Sequence, residues 1–364
     1  MISIWALLLL SSSQAQIIFD QPPEGNVQFI YSHWKVENGD GQKRIDQVTF
    51  PLTGFVPLRD NLEARFYMAN CSNNLSYTDQ DYDLSGMSDL RMQVSHSFSD
   101  DRFLISGGIN MPLGKKKLNR TGERAIIETL SQSYLSFPIR HYGEGFGIDL
   151  LVGGATMMQD LRLGGSFSYR YTGSYEPYEE IEDYNPGDIF SINATAEVPS
   201  GKSTLAADII YSLYSNDQLG GVDVFKQSPQ FDIRLGWMHN AESSTISSNI
   251  RYLVRGKNKR FDMDNGDLIQ SLKLYGNEFL INGMVGINFE EYWTITPLME
   301  LRFIQSNESG FDNCSLFGLG IYQARKISEN MNIDVGFKYY TGSADGGELD
   351  LTGLQMSIGL AALF

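Results

Sequence analysis

Apart from one run near its start, the chain has no long apolar stretch. That run, Ile2 to Leu10, is well short of the roughly 20 residues a spanning helix requires, so helical membrane spans are excluded. Mean hydropathy is −0.23. Histidine and cysteine are scarce, with 4 His and 2 Cys in 364 residues. The sequence holds no Gly-x-Ser-x-Gly elbow and no metal-spaced His/Cys cluster, the usual signatures of hydrolytic or metal catalysis. Positive charge is also short: 28 Lys+Arg against 44 Asp+Glu give a formal net charge of −16. Phosphate backbones need clustered cations, so nucleic acid is not an expected partner. The sequence therefore reads as a non-enzyme without metal or cofactor.

What is present is turn formers and aromatics: 36 Gly, 19 Tyr and 21 Phe. This is the make-up of an antiparallel membrane barrel, whose strands are polar at every second position. Both ends of the chain agree with it. Ser13 and Ala15 fall at the −3 and −1 places of a secretory cleavage site, although no Lys or Arg precedes the apolar core. Residues 1–15 are thus expected to be a signal peptide, with 16–25 a short periplasmic segment and 26–364 the barrel. At the other end Leu354, Met356, Ile358, Leu360, Ala362 and Phe364 share one face of a strand, and Gly353, Gln355, Ser357, Gly359 and Ala361 the other. Ser357, Gly359, Ala362 and Phe364 resemble the C-terminal signal presented to the barrel assembly machinery.

Period-2 segments of about ten residues, the length that crosses a bilayer at a tilt, recur along the chain. They are placed near 26–36, 45–56, 62–71, 87–98, 102–112, 146–157, 160–171, 188–197, 203–214, 230–238, 245–255, 279–289, 294–305, 315–324, 330–341 and 352–364. Short links with turn chemistry, such as Ser99 to Asp101 and Pro199 to Lys202, alternate with long ones at 72–86, 113–145, 172–187, 215–229, 256–278, 306–314 and 342–351. A propeller would show a repeat of about 40–50 residues, and none is visible. The expected class is all-β, an antiparallel up-and-down transmembrane β-barrel of about sixteen strands, fourteen being the alternative, in a bacterial outer membrane. Its partners would be outer-membrane lipid and lipopolysaccharide, the assembly machinery and a small-molecule solute.

Gly86, Met87, Ser88, Asp89, Leu90 and Arg91 before a strand, the turn Ser99, Asp100, Asp101, and the strand end Asn110, Met111, Pro112, Leu113, Gly114, Lys115 together resemble an outer-membrane transporter group. That group includes the long-chain fatty acid transporters and the barrels associated with the phenol meta-pathway. The resemblance covers mainly residues 86–171 and implies passive uptake of apolar or amphipathic small molecules. Fatty acid transporters carry an N-terminal plug of some forty residues, for which the roughly ten residues between Gln16 and the first strand leave no room. The alternative function is a structural or adhesive barrel without an open pore.

Two groups of residues are candidates for the pore. Loop 113–145 is expected to fold inward, with Thr121 capping a helix from Gly122 to Tyr134 whose apolar side carries Ile126, Ile127, Leu130 and Tyr134. Lys115, Lys116, Lys117, Arg120, Arg124, Arg140 and His141 would then form a positive rim at a constriction. Strand alternation also points Arg91, Arg102, Arg162, Arg170, Arg234, Arg251, Arg255, Glu300, Arg302 and Lys338 into the lumen, with Asp149, Asp232 and Asp334; on this reading basic side chains outnumber acidic ones. Asp262, Asp264, Asn265, Gly266 and Asp267 resemble half a calcium loop, but the twelfth position would be Lys273, so an EF-hand is rejected. Cys71 and Cys314 fall near strand ends, where a disulfide would need loops to meet across the mouth.

Overall fold

The computed structural model describes residues 22–364 except 40, 78–79, 263–266, 271 and 290–291. The expected signal peptide, residues 16–21, and Asp264 to Gly266 of the calcium-like run lie outside the described residues. One antiparallel sheet of seventeen segments forms the wall. Gln80–Met87 and Leu90–Phe98 run consecutively along the same neighbour, so the wall has sixteen strands. We number them β1 (Glu24–Asn38), β2 (Gly41–Arg59), β3 (Leu62–Tyr77), β4 (Leu90–Phe98), β5 (Phe103–Met111), β6 (Gly147–Met158), β7 (Leu161–Thr172) and β8 (Ile189–Ser200). There follow β9 (Ser203–Tyr214), β10 (Gln230–Asn240), β11 (Ser244–Arg255), β12 (Glu278–Phe289), β13 (Trp293–Ile304), β14 (Cys314–Ser328), β15 (Met331–Ala344) and β16 (Leu349–Leu363). Each strand pairs with its chain neighbour, and β1 pairs with β16 from Glu24↔Leu363 to Glu37↔Asp350, which closes the sheet on itself.

Alternation sorts the two faces. Ile148, Leu150 and Val152 on β6, Leu205 and Ile209 on β9, and Ile358 and Leu360 on β16 all point outward and are exposed. A continuous apolar belt on the outside of a closed barrel is a surface made for lipid, and the protein is a bacterial outer-membrane barrel. Facing inward are polar groups such as Ser95, Ser106, Asn193 and Ser357.

Strand length divides the wall in two. Strands β4 to β13 have 9 to 12 residues, enough to cross a bilayer. Strands β1 to β3 have 15, 19 and 16 residues, and β14 to β16 have 15, 14 and 15. At about 3.3 Å per residue these reach roughly 46–63 Å, so this arc, which straddles the β1–β16 seam, overhangs at the long-loop end. Of the expected loop 72–86, residues 72–77 and 80–86 belong to the overhang: they pair from Asn70↔Met87 to Tyr77↔Gln80. Three other long links contribute a separate five-stranded sheet at the mouth, in the order Asp267–Gln270, Lys259–Asp262, Val222–Lys226, Asn216–Leu219, Tyr184–Asn185.

Candidate functional site

Residues 112–146, between β5 and β6, form the longest link. Its helix α1 (Gly122–Leu130) stops short of the expected Tyr134, with Ser131 as its C-cap, and Thr121 makes no side-chain cap. Asn119 caps it instead: its Oδ1 accepts from the Gly122 and Glu123 backbone N–H groups, both at 3.1 Å, while the Asn119 N–H donates to Glu123 at 2.8 Å. Ile126 and Leu130 are fully buried, and Tyr134 is buried beyond the helix end.

The loop folds into the overhanging arc. Leu118, Ile126, Leu130, Tyr134, Leu135, Phe137, Ile139 and Tyr142 pack with wall residues that include Trp34, Ile45, Leu75, Leu84, Leu316, Tyr340 and Leu351 in one buried cluster. Polar contacts fix the register. Gln47 Nε2 donates to the Ile139 carbonyl at 2.7 Å, and the Ile139 N–H donates back to Gln47 Oε1 at 3.2 Å. Asn73 donates to the Tyr142 hydroxyl, which donates to the Leu84 carbonyl at 3.0 Å. Arg302 reaches from β13 to the Ser133 carbonyl at 3.1 Å, and Tyr134 stacks on Phe311 with centroids 5.6 Å apart. Cys71 and Cys314 are free thiols buried in the same cluster, so no disulfide crosses the mouth.

Both limbs of the loop meet at Asp89, in the break before β4. Its carboxylate accepts from the Gly114 N–H at 2.9 Å, the Glu144 N–H at 2.8 Å and Asn110 Nδ2 at 2.7 Å.

The candidate rim splits into two groups. Lys115 pairs with Glu123, Lys117 with Glu176 at 2.7 Å, Arg120 with Glu180, and Arg124 with Glu128 at 2.7 Å, beneath which lies the Tyr178 ring. Lys116 is exposed. This outer limb is stitched to the neighbouring mouth loop through Leu118 and Tyr178, so its cations sit at the mouth and are largely matched by glutamates. Arg140 and His141 lie on the returning limb. His141 approaches Glu144 at 3.7 Å; enclosure by the barrel, with Arg91 and Arg140 nearby, lowers its pKa against the pull of Glu144.

Of the lumen candidates, Arg91, Arg162, Arg170, Arg234, Arg251, Arg255, Glu300, Arg302 and Lys338 occupy inward strand positions. Arg102 does not: it lies in the turn between β4 and β5, its N–H donating to the Ser99 carbonyl at 3.3 Å. Nor do basic groups dominate the lining. Arg162 pairs with Glu197 at 2.9 Å, Arg170 with Asp149 at 2.5 Å, Arg255 with Glu278 at 2.8 Å, and Arg302 with Glu300 at 2.9 Å. Arg234 and Arg251 share Asp232, at 2.6 and 2.8 Å, and Arg91 faces Glu144 at 3.9 Å. Glu144, Glu197, Glu278 and Asp208 are among the acids absent from the expected lining. Glu197 shares the inward parity of Asn193 and Thr195, a signal that was available, whereas Glu278 begins a strand and Glu144 sits in a loop.

Packing leaves the two sides of the lumen unlike. Gln47 and Asn73 are 0% and 1% exposed beneath the loop. On β4 and β7, Arg91, Arg162 and Arg170 face inward and keep 52%, 51% and 48% of their side chains in contact with solvent.

No family model matches the chain, and no curated protein matches it in sequence. Solved structures do. Pseudomonas putida OprB at low pH superposes with a TM-score of 0.50 at 10% identity, over 99% of this chain and 97% of that one. A monoaromatic hydrocarbon channel, CymD, gives 0.49 at 10% identity over 100% and 93%. Pseudomonas aeruginosa OpdL gives 0.48 at 10% over 94% and 98%. At such identities the likeness speaks to the fold alone: the chain is a closed outer-membrane β-barrel, and nothing in the comparisons extends to the long-chain fatty acid transporters.

Proposed function

We propose that this protein is a passive channel for small, hydrated polar solutes, with loop 112–146 as its fixed constriction. The observation that carries the reading is the contrast across the lumen. The overhanging arc is sealed by the loop, whereas on β7 Arg162 and Arg170 stand in solvent within a closed wall. A barrel filled by its own side chains for structural or adhesive purposes would bury those arginines in a continuous salt-bridge network without solvent between them. An apolar-solute transporter would line the open side with aliphatic and aromatic groups, whereas Arg91, Gln93, Asp149, Arg162, Ser166, Ser168 and Arg170 line it here. The polar lining favours hydrated solutes over the apolar ones implied by the sequence resemblance. Pores of this kind select by width and by the charge of the lining at the narrowest level.

Single-channel recording of the refolded protein in a planar bilayer tests the proposal. Stable conductance steps are expected, and removal of residues 122–134 should enlarge them. A silent protein in both forms would overturn the channel reading, and unchanged steps after the deletion would overturn the constriction.

A further inference from the structure

We infer that the lumen holds an oxyanion site centred on Arg140, where the loop faces the β10–β13 wall, taking one carboxylate or phosphate group of a passing solute; this rests on the channel reading above. The site is built by strand register. Arg234 lies opposite Arg251, Arg251 opposite Leu280, and Leu280 opposite Arg302. One level of the inner wall from β10 to β13 therefore carries three guanidinium groups, and Arg255 stands four residues further along β11.

Most of that charge is already matched. Asp232 accepts from Arg234 and Arg251, Glu278 from Arg255, and Glu300 from Arg302; Asp208 lies opposite Arg234 on β9. Arg140 adds a fifth guanidinium to four carboxylates. Arg302 of this wall holds the Ser133 carbonyl of the same loop, while Gln47 on β2 fixes the neighbouring Ile139. The Arg140 side chain donates to the Leu135 carbonyl at 3.3 Å and makes no ion pair with any described residue. Burial, reinforced by the positive charges of Arg302, Arg251 and Arg255, lowers the Arg140 pKa despite Glu278. A guanidinium fork in a positive field is complementary to a planar or tetrahedral oxyanion, which it grips with two parallel hydrogen bonds. At the mouth the guanidinium groups offer no equivalent, because Arg120 and Arg124 each already face a glutamate.

The test compares the intact protein with Arg140→Gln and Arg140→Lys, each first shown to be a folded barrel by its heat-modifiable migration. In a potassium chloride gradient the anion-over-cation permeability ratio should fall about threefold or more in Arg140→Gln and be largely kept in Arg140→Lys. Acetate and inorganic phosphate, added separately, should reduce the chloride current of the intact protein and do so at least about threefold more weakly in Arg140→Gln. Competition by acetate alone assigns a carboxylate solute, and by phosphate alone a phosphorylated one. An unchanged ratio with no competition by either probe overturns the site while leaving the channel standing. If the intact protein is silent, calorimetric titration with the same two probes decides: heat that disappears in Arg140→Gln upholds the site, and its absence in the intact protein overturns it.

Discussion

Gln47 and Ile139 stand 92 residues apart in the chain and close a reciprocal pair of hydrogen bonds in which a side-chain amide does the work of a strand backbone. Gln47→Ala removes both partners and leaves the Ile139 N–H and carbonyl buried and unmatched, at about 1–3 kcal/mol each. The loop is expected to lift from the wall. Cys71, 1% exposed beneath it, reports this: in a Cys314→Ser background a water-soluble maleimide should label Cys71 in the variant and not in its parent. Equal labelling of the two would show that the amide pair does not hold the loop.

Asp89 ties the two limbs of the loop together through Gly114 and Glu144. Asp89→Asn replaces one accepting oxygen by an amide donor facing N–H groups, which costs about 1–3 kcal/mol. Limited proteolysis of the folded protein should then cut within 112–146 faster, with the barrel fragment intact. Cleavage at the parental rate would mean that the packed apolar residues suffice without the carboxylate.

Gly359 was singled out in the sequence as part of an assembly signal, yet it also has a steric reason to be glycine. A Cβ at this position would lie 2.3 Å from Asp334 Oδ1. Gly359→Ala should lower the yield of folded barrel in detergent, where no assembly machinery is present, and Asp334→Ser in the same chain should restore it. A defect seen only in cells would assign Gly359 to the signal instead.

His141 carries a pH dependence with a definite sign. Its pKa lies below the ordinary 6.5, so the folded loop keeps it neutral at pH 7 and it gains a proton only as the pH falls below that value. Because the unfolded chain takes up that proton more readily than the folded one, the contribution to loop stability is full above 6.5 and is lost as the pH falls. Anion preference should rise over the same acid range, read from reversal potentials between pH 7 and 5, and His141→Gln should flatten the rise. A rise centred above 6.5 would contradict the lowered pKa.

The barrel was legible because each membrane-crossing segment keeps one rule, apolar outward and polar inward. All sixteen expected strands overlap the observed ones, and β9 has the expected bounds. The overhang was not legible because there the rule turns over. On β3 and its hairpin partner, Asn74, Ser76, Asp81 and Asp83 point out to water, while Leu75 and Leu84 point in to the loop. A polar–apolar pattern read by lipid-facing parity meets a reversal there, which is why the expected strand 62–71 ends short of Tyr77. The inward fold of the loop was foreseeable from its apolar helix face. Which of its cations reach the lumen was not, since Lys117 and Arg120 find their partners on a loop some 59 and 60 positions away.

A closed sheet is weakest where its first and last strands meet, since nothing covalent joins them there. In this barrel the buried cluster draws Trp34, Ile45 and Leu75 from one side of that join and Leu316, Tyr340 and Leu351 from the other, with the loop wedged between. The loop therefore acts as a keystone: the join is clamped only after a segment from the middle of the chain has arrived, so unzipping at the β1–β16 boundary must wait for the keystone to be drawn.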